Sequence, residues 1–140
     1  GELRHRGFLD SCAARGVDVA EDAQAVAEFT VDSGYSCAEA IMGARPETDA
    51  LVCATDSIAY GALTYLREHV IRVPEDVQVT GVGDGELSQI VTPRLTTVHH
   101  HYKTSGSEAA KMLLGLMTGT DTVPREIKMG YEIVKRASTR

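Results

Sequence analysis

Three consecutive histidines, His99-His100-His101, are the residues whose type and spacing most directly suggest chemistry, and the chemistry would be metal binding. A transition-metal ion needs ligands that converge from one side. In an extended segment alternate side chains point to opposite faces, so only two of the three could share an ion. No cysteine or aspartate stands where it would complete the set, and no metal site is predicted. Gly34-Tyr35-Ser36-Cys37-Ala38 has the outline of a serine nucleophile turn, but it closes on Ala38 and falls inside a predicted helix. Gly81-x-Gly83-x-Gly85 lacks the third-glycine spacing of a dinucleotide fingerprint, and no Gly-Lys-Ser/Thr phosphate loop occurs. With no nucleophile and base at motif spacing, the sequence predicts neither an enzyme nor a cofactor. Cys12, Cys37 and Cys53 are odd in number and show no C-x-x-C spacing, and they read as buried thiols of a reducing cytoplasm.

The elements that must position any site alternate between helix and strand. Leu3, Phe8, Leu9, Cys12 and Ala13 make a stripe on a helix over 3–15 that Gly16 stops. Residues 24–30 read as a short strand, followed by a helix from an Asp32 cap to about Ala44. Ala50 to Ala54 is a continuous apolar run of the kind buried on both faces. Asp56 or Ser57 then caps a helix carrying Ile58, Ala59, Ala62, Leu63 and Leu66. Val77 to Val82 is the next strand and runs into the glycine loop. Leu95 to Val98 is a further strand. A helix over 104–118 aims Ala109, Ala110, Met112, Leu113, Leu116 and Met117 at a core, and Gly119 closes it. Tyr131 to Lys135 forms a last strand before a polar tail. This order predicts an α/β fold, a parallel sheet with helices on both faces. Ligands of such sheets sit beyond the carboxyl ends of the strands, where Phe29-Thr30, Thr55-Asp56 and Gly83-Asp84 converge.

A chain of 140 residues holds one domain with a core, and it starts without a methionine or a secretion signal, as a fragment would. Hydrophobic residues at 43% and charged ones at 24% exclude a disordered chain. No apolar run reaches the ~18 residues of a membrane span. The net charge of −6 opposes contact with a phosphate backbone, so no DNA affinity is expected of these residues alone. Lys128, Lys135, Arg136 and Arg140 cluster late in the chain and read as a solvated surface.

Thr48 to Leu66 (TDALVCATDSIAYGALTYL), Arg72 to Gly81 (RVPEDVQVTG) and Thr92 to Val98 (TPRLTTV) closely resemble the lactose/galactose-repressor family of bacterial transcription regulators. Arg4 to Phe8, Ser105 to Gly119 and Tyr131 to Thr139 resemble further family segments, so the likeness covers nearly the whole chain. The family joins a DNA-binding head and a hinge to a two-lobed effector core similar to periplasmic sugar-binding proteins. The resemblance implies that 1–98 belong to the second lobe, that 99–128 cross over to pack on the first, and that 129–140 form a closing strand and tail. Head, hinge and most of the first lobe, with one central strand, would lie outside these residues, leaving the lobe incomplete.

The implied function is sensing of a small sugar or sugar phosphate in the cytoplasm, without cofactor or membrane, with DNA reached only through the head. The rival reading is a periplasmic sugar-binding protein, which the unpaired cysteines and TPRLTTV disfavour. Carried over by position, Arg4, Phe29, Thr55, Asp56, Asp84, His100 and Tyr102 would line the effector site, and Tyr60, Ser88, Ile90 and Val91 a homodimer contact. Thr55 stands where the family has Asn, and Gly83 where it has its usual ligand carboxylate. Either Asp84 substitutes for that carboxylate or a bulkier ligand fits. Plainer roles stand beside these: a solvated arginine for Arg4, a core aromatic for Phe29, a helix cap for Asp56, and a partner of the glycine loop's backbone for Asp84.

Overall fold

A computed structural model describes residues 1–120, 123 and 125–140. Helix α1 (Glu2–Ala13) leads through a 3-10 turn to α2 (Val31–Ala44), β1 (Ala50–Val52), α3 (Asp56–Glu68), β2 (Gln78–Gly83), α4 (Glu86–Ile90), β3 (Thr96–His100), α5 (Tyr102–Thr118) and β4 (Tyr131–Val134). The strands lie in the order β1-β2-β3-β4. The first three are parallel, whereas β4 runs antiparallel to β3, so the sheet is mixed rather than wholly parallel.

The core forms where α2 and α3 cover one face of this sheet. Side chains of Leu51, Cys53, Val77, Val79 and Leu95 meet Ile58, Ala59, Ala62 and Leu66 there, all buried. The two helices meet backbone to backbone. A Cβ on Gly34 would stand 2.2 Å from the carbonyl oxygen of Ile58, and one on Gly61 2.0 Å from that of Val31. Only residues without a side chain allow this approach. The two helix starts are fixed by threonines: Thr30 Oγ1 accepts from the amide of Ser33 (3.2 Å) and Thr55 Oγ1 from that of Ile58 (3.3 Å). The caps therefore fall before Asp32 and Asp56, the residues expected from sequence.

Three expectations change. Residues 24–30 form no strand: a strand needs a ladder, and residues 25–29 make no backbone-to-backbone hydrogen bond with the described residues, leaving Val26 fully exposed. Strand β1 is an edge, alternating exposed, buried, exposed rather than buried on both faces. Helices α1 and α5 bury no residue, so Leu113, Leu116 and Met117 of α5 are exposed rather than in a core, and Ala50, Val52, Tyr131 and Ile133 on the second face of the sheet are exposed as well. The polar tail, in contrast, is part of the interior. Ser138 Oγ accepts from the amide of Thr96 (2.8 Å) and donates to the carbonyl of Val79 (2.6 Å), while the Ser138 backbone bonds Arg94 and Val79. This serine stitches β2 to β3 where they begin.

Candidate functional site

The carboxyl ends of β1 and β2 are brought together by Asp56. Its buried carboxylate accepts from Thr97 Oγ1 at 2.5 Å and from the amide of Gly85 at 3.1 Å. Gly81 makes room for it: a Cβ there would lie 2.4 Å from Asp56 Oδ1. Two positions on, Gly83 turns the chain at a φ of 144°, and Asp84 follows in the left-handed region at 56°, which aspartate tolerates better than most residues.

Asp84 is directed into the protein. Its Oδ1 lies 2.5 Å from Arg136 Nη2 and 3.2 Å from Ser88 Oγ, and its Oδ2 2.9 Å from His99 Nδ1. Burial pushes the pKa of this carboxyl up. The hydrogen bond and charge of Arg136, helped by Ser88 and His99, outweigh that and hold it below the usual value. Arg136 also donates to the carbonyl of Leu95 and to Ser88 Oγ. Two expectations are corrected here. Asp84 does not pair with the backbone of the glycine loop, since its oxygens bond Arg136, Ser88 and His99 and the amide of Gly85 goes to Asp56 instead. Arg136 is not a solvated surface residue but the cation of a nearly buried pair.

Ser88, expected at a subunit contact, is completely buried in the same network, 2.6 Å from the carbonyl of Gly85, and offers no surface to a second chain. Ile90 is exposed and Val91 half-buried. The hydroxyl of Tyr60 is buried without a partner beside a cavity of about 120 Å³ lined by Leu63, Thr64, Arg67, Val91 and Thr92. Burial and the charge of Asp56, with Asp84 adding to it against Arg136, push its pKa up to about 12, so it is a neutral phenol.

Around this frame the other candidate residues divide into two groups. Arg4, exposed on α1, donates to the carbonyl of Ala54 at 2.8 Å, which holds its guanidinium next to Thr55 at the end of β1. Phe29 is 62% exposed immediately before the Thr30 cap. His100 and Tyr102 pack ring against ring at 5.6 Å, and no hydrogen bond joins them to Arg4, Thr55 or Asp56. His100 Nε2 is buried without a partner. His99 lies on the opposite face of β3, as alternation requires, with His101 edge-on to it at 5.4 Å. Among the described residues no group of three histidine, cysteine, aspartate or glutamate side chains could hold a metal ion. Of the thiols only Cys53 is buried, and burial first, then the nearby Cys37 and Asp56, push its pKa up to about 12; Cys12 and Cys37 are half-buried.

Sequence reasoning missed Thr97, Arg136 and the Ser88 role. Thr97 and Arg136 join Asp56 and Asp84 across 41 and 52 positions, and no local pattern signals such pairing.

Residues 1–139 match the family described as periplasmic binding protein-like domain. The chain belongs to that family. The regulator CelR of Thermobifida fusca is 30% identical over 99% of the chain, and the repressor PurR of Erwinia tasmaniensis is 30% identical over the same share. The chain spans 41% and 40% of the length of these relatives. Among solved structures, the complex of a transcriptional regulator CelR with cellobiose superposes with a TM-score of 0.92 at 30% identity over 96% of this chain and 41% of that one. A LacI-type regulator from Bifidobacterium animalis subsp. lactis gives 0.92 at 31% identity, over 99% of this chain and 50% of its own. The periplasmic binding protein-like lobe thus has its near relatives among transcription regulators rather than transport proteins.

Proposed function

We propose that this domain is the sensing part of a bacterial transcription repressor, binding a small sugar or sugar phosphate at the carboxyl edge of β1 and β2. The observation that carries the reading is the arrangement of that edge. Arg4 is held by Ala54 with four N–H groups left over, Thr55 caps α3 beside it, and the Asp56 bonds to Thr97 and Gly85 fix the two strand ends relative to each other. A guanidinium and a fixed carboxylate frame suit hydroxyl groups, and an exposed aromatic such as Phe29 suits the apolar face of a pyranose. That a relative of 0.92 TM-score was solved with cellobiose supports the same class of ligand here. His100 and Tyr102, at the end of β3 and the start of α5, would complete the site from the side of the other lobe. The effector would favour one arrangement of two lobes, and DNA affinity of the intact cytoplasmic regulator would follow by linkage through its head. No step of this requires catalysis.

The test is calorimetry on the intact regulator with its effector sugar. Arg4→Gln and Phe29→Ala are each expected to weaken binding by about tenfold, the ~1.4 kcal/mol of one good contact, with the melting curve unchanged. Unchanged affinity in both variants would move the site elsewhere.

Pairing of two copies belongs to the same proposal. Ile90 is exposed and its neighbour Val91 lines the cavity beside Tyr60, and a two-fold contact would cover these apolar side chains. Light scattering at micromolar concentration is expected to show a dimer of the intact regulator, and Ile90→Asp is expected to raise its dissociation constant at least about tenfold. A monomer at that concentration contradicts the pairing.

A further inference from the structure

Phe29 is 62% exposed, so neighbouring side chains fix little of its position and its place is set by its backbone. That backbone is held by α2. Residues 25–29 make no backbone-to-backbone hydrogen bond with the described residues, and side chains of the helix stand in. Cys37 Sγ donates to the carbonyl of Val26 at 3.7 Å, a weak bond, and the amide of Glu28 donates to Ser33 Oγ at 2.9 Å. Four residues apart, Ser33 and Cys37 share one face of α2, and Ala27, between the two bonded residues, packs on the core. Ser33 also donates its own amide to Thr30 Oγ1 at 3.2 Å. One residue thus holds the chain immediately before and immediately after Phe29.

We infer that Ser33 is a positioning residue of the effector site: without touching the ligand, it keeps Phe29 in place relative to Thr55 and Asp56. The inference rests on the sugar-sensing reading of this edge. Two observations separate it from a plain helix-capping role. The Ser33 hydroxyl bonds an amide that lies outside α2, so it satisfies none of the helix's own donors. Alanine is the better helix former, so on helix grounds alone Ser33→Ala would be neutral or stabilising. The frame is also rigid at its other end, because the next residue, Gly34, lies against the carbonyl of Ile58 in the first turn of α3 and keeps the two helix starts together. An exposed ring held in advance loses less freedom when a ligand stacks on it.

Calorimetric titration of the intact regulator with cellobiose, lactose, maltose, sucrose, trehalose and glucose 6-phosphate selects the tightest binder, with which variants are compared. Ser33→Ala, with the melting midpoint retained, is expected to weaken it about fivefold, the size of one ordinary hydrogen bond. Ser33→Thr keeps the hydroxyl and is expected to stay within about twofold of the unsubstituted protein. In a Phe29→Ala background, Ser33→Ala is expected to change affinity by less than about twofold, because the residue it positions is gone. A serine that served only the stability of the lobe would weaken binding equally in both backgrounds. In the protein without sugar, the Glu28 amide is expected to lose its protection against hydrogen exchange in Ser33→Ala. Unchanged affinity in Ser33→Ala or in Phe29→Ala, equal weakening in the two backgrounds, or a Glu28 amide still protected each overturns the positioning role and leaves sugar sensing standing. Binding of no compound in the set overturns the sugar-sensing reading and this inference with it.

Discussion

Gly61→Ala is expected to cost about 3 kcal/mol or more in urea unfolding, the upper range for overpacking a close contact. On propensity alone the sign would be the reverse, because alanine is favoured over glycine inside a helix by about 1 kcal/mol. The contact decides: the added methyl would stand 2.0 Å from the carbonyl oxygen of Val31 and 2.4 Å from the amide nitrogen of Tyr35, both backbone atoms that move only if α2 moves. Separating α2 from α3 opens the core on which Ala38, Ala59 and Leu66 depend. Gly43, also in α2 but with nothing within 4 Å of its missing Cβ, is the control, and Gly43→Ala is expected to be neutral or stabilising by up to about 1 kcal/mol. Equal effects of the two substitutions would mean that the helices do not meet as described.

The second large effect is expected at the tail. Arg136→Met leaves the Asp84 carboxylate nearly buried without its cation, and losing one partner of a buried pair costs about 3–5 kcal/mol. Asp84→Asn in the same chain removes the stranded charge, so the double variant is expected to recover part of the loss, a coupling that a double-mutant cycle reads directly. The pH dependence has a definite sign. Because the folded carboxyl titrates below its unfolded value of about 3.9, its contribution is complete above that value and is lost as pH falls through the lowered one. Acid unfolding of the Arg136→Met protein is therefore expected to be less steep below about pH 4. Additive single substitutions would contradict the pair.

What was legible in the sequence was local. The apolar run at Ala50 to Ala54, the three-and-four spacing from Ile58 to Leu66 and the glycine loop after Val82 each carry their own period, and β1, α3 and β2 lie where those periods place them. The helix starts shifted by a residue or two because Thr30, Asp32, Thr55, Asp56 and Ser57 can all cap, and only the geometry selects the threonines. Residues 24–30 have a strand's composition, but extended propensity becomes a strand only beside a partner, and none of the described residues provides one. Site residues were legible as positions rather than as roles. Asp56 and Asp84 stand at the strand ends as expected, yet what each carboxylate does depends on Thr97, Arg136 and His99, which the chain delivers from far along the sequence. Arg136 in particular has the surroundings of a surface basic residue until the tail is seen to pass over the start of β3.

The central claim, that this lobe senses a sugar, is tested most directly by the thermal stability of the intact regulator across a panel of sugars and sugar phosphates. A ligand present at about 100 times its dissociation constant adds roughly 2.7 kcal/mol to the folded state, enough to raise the melting midpoint clearly. The expected result is such a shift with one or a few related compounds, reduced to about half by Arg4→Gln at the same ligand concentration. Melting curves that stay superimposed for every compound, or turnover of any of them by the protein, would contradict it.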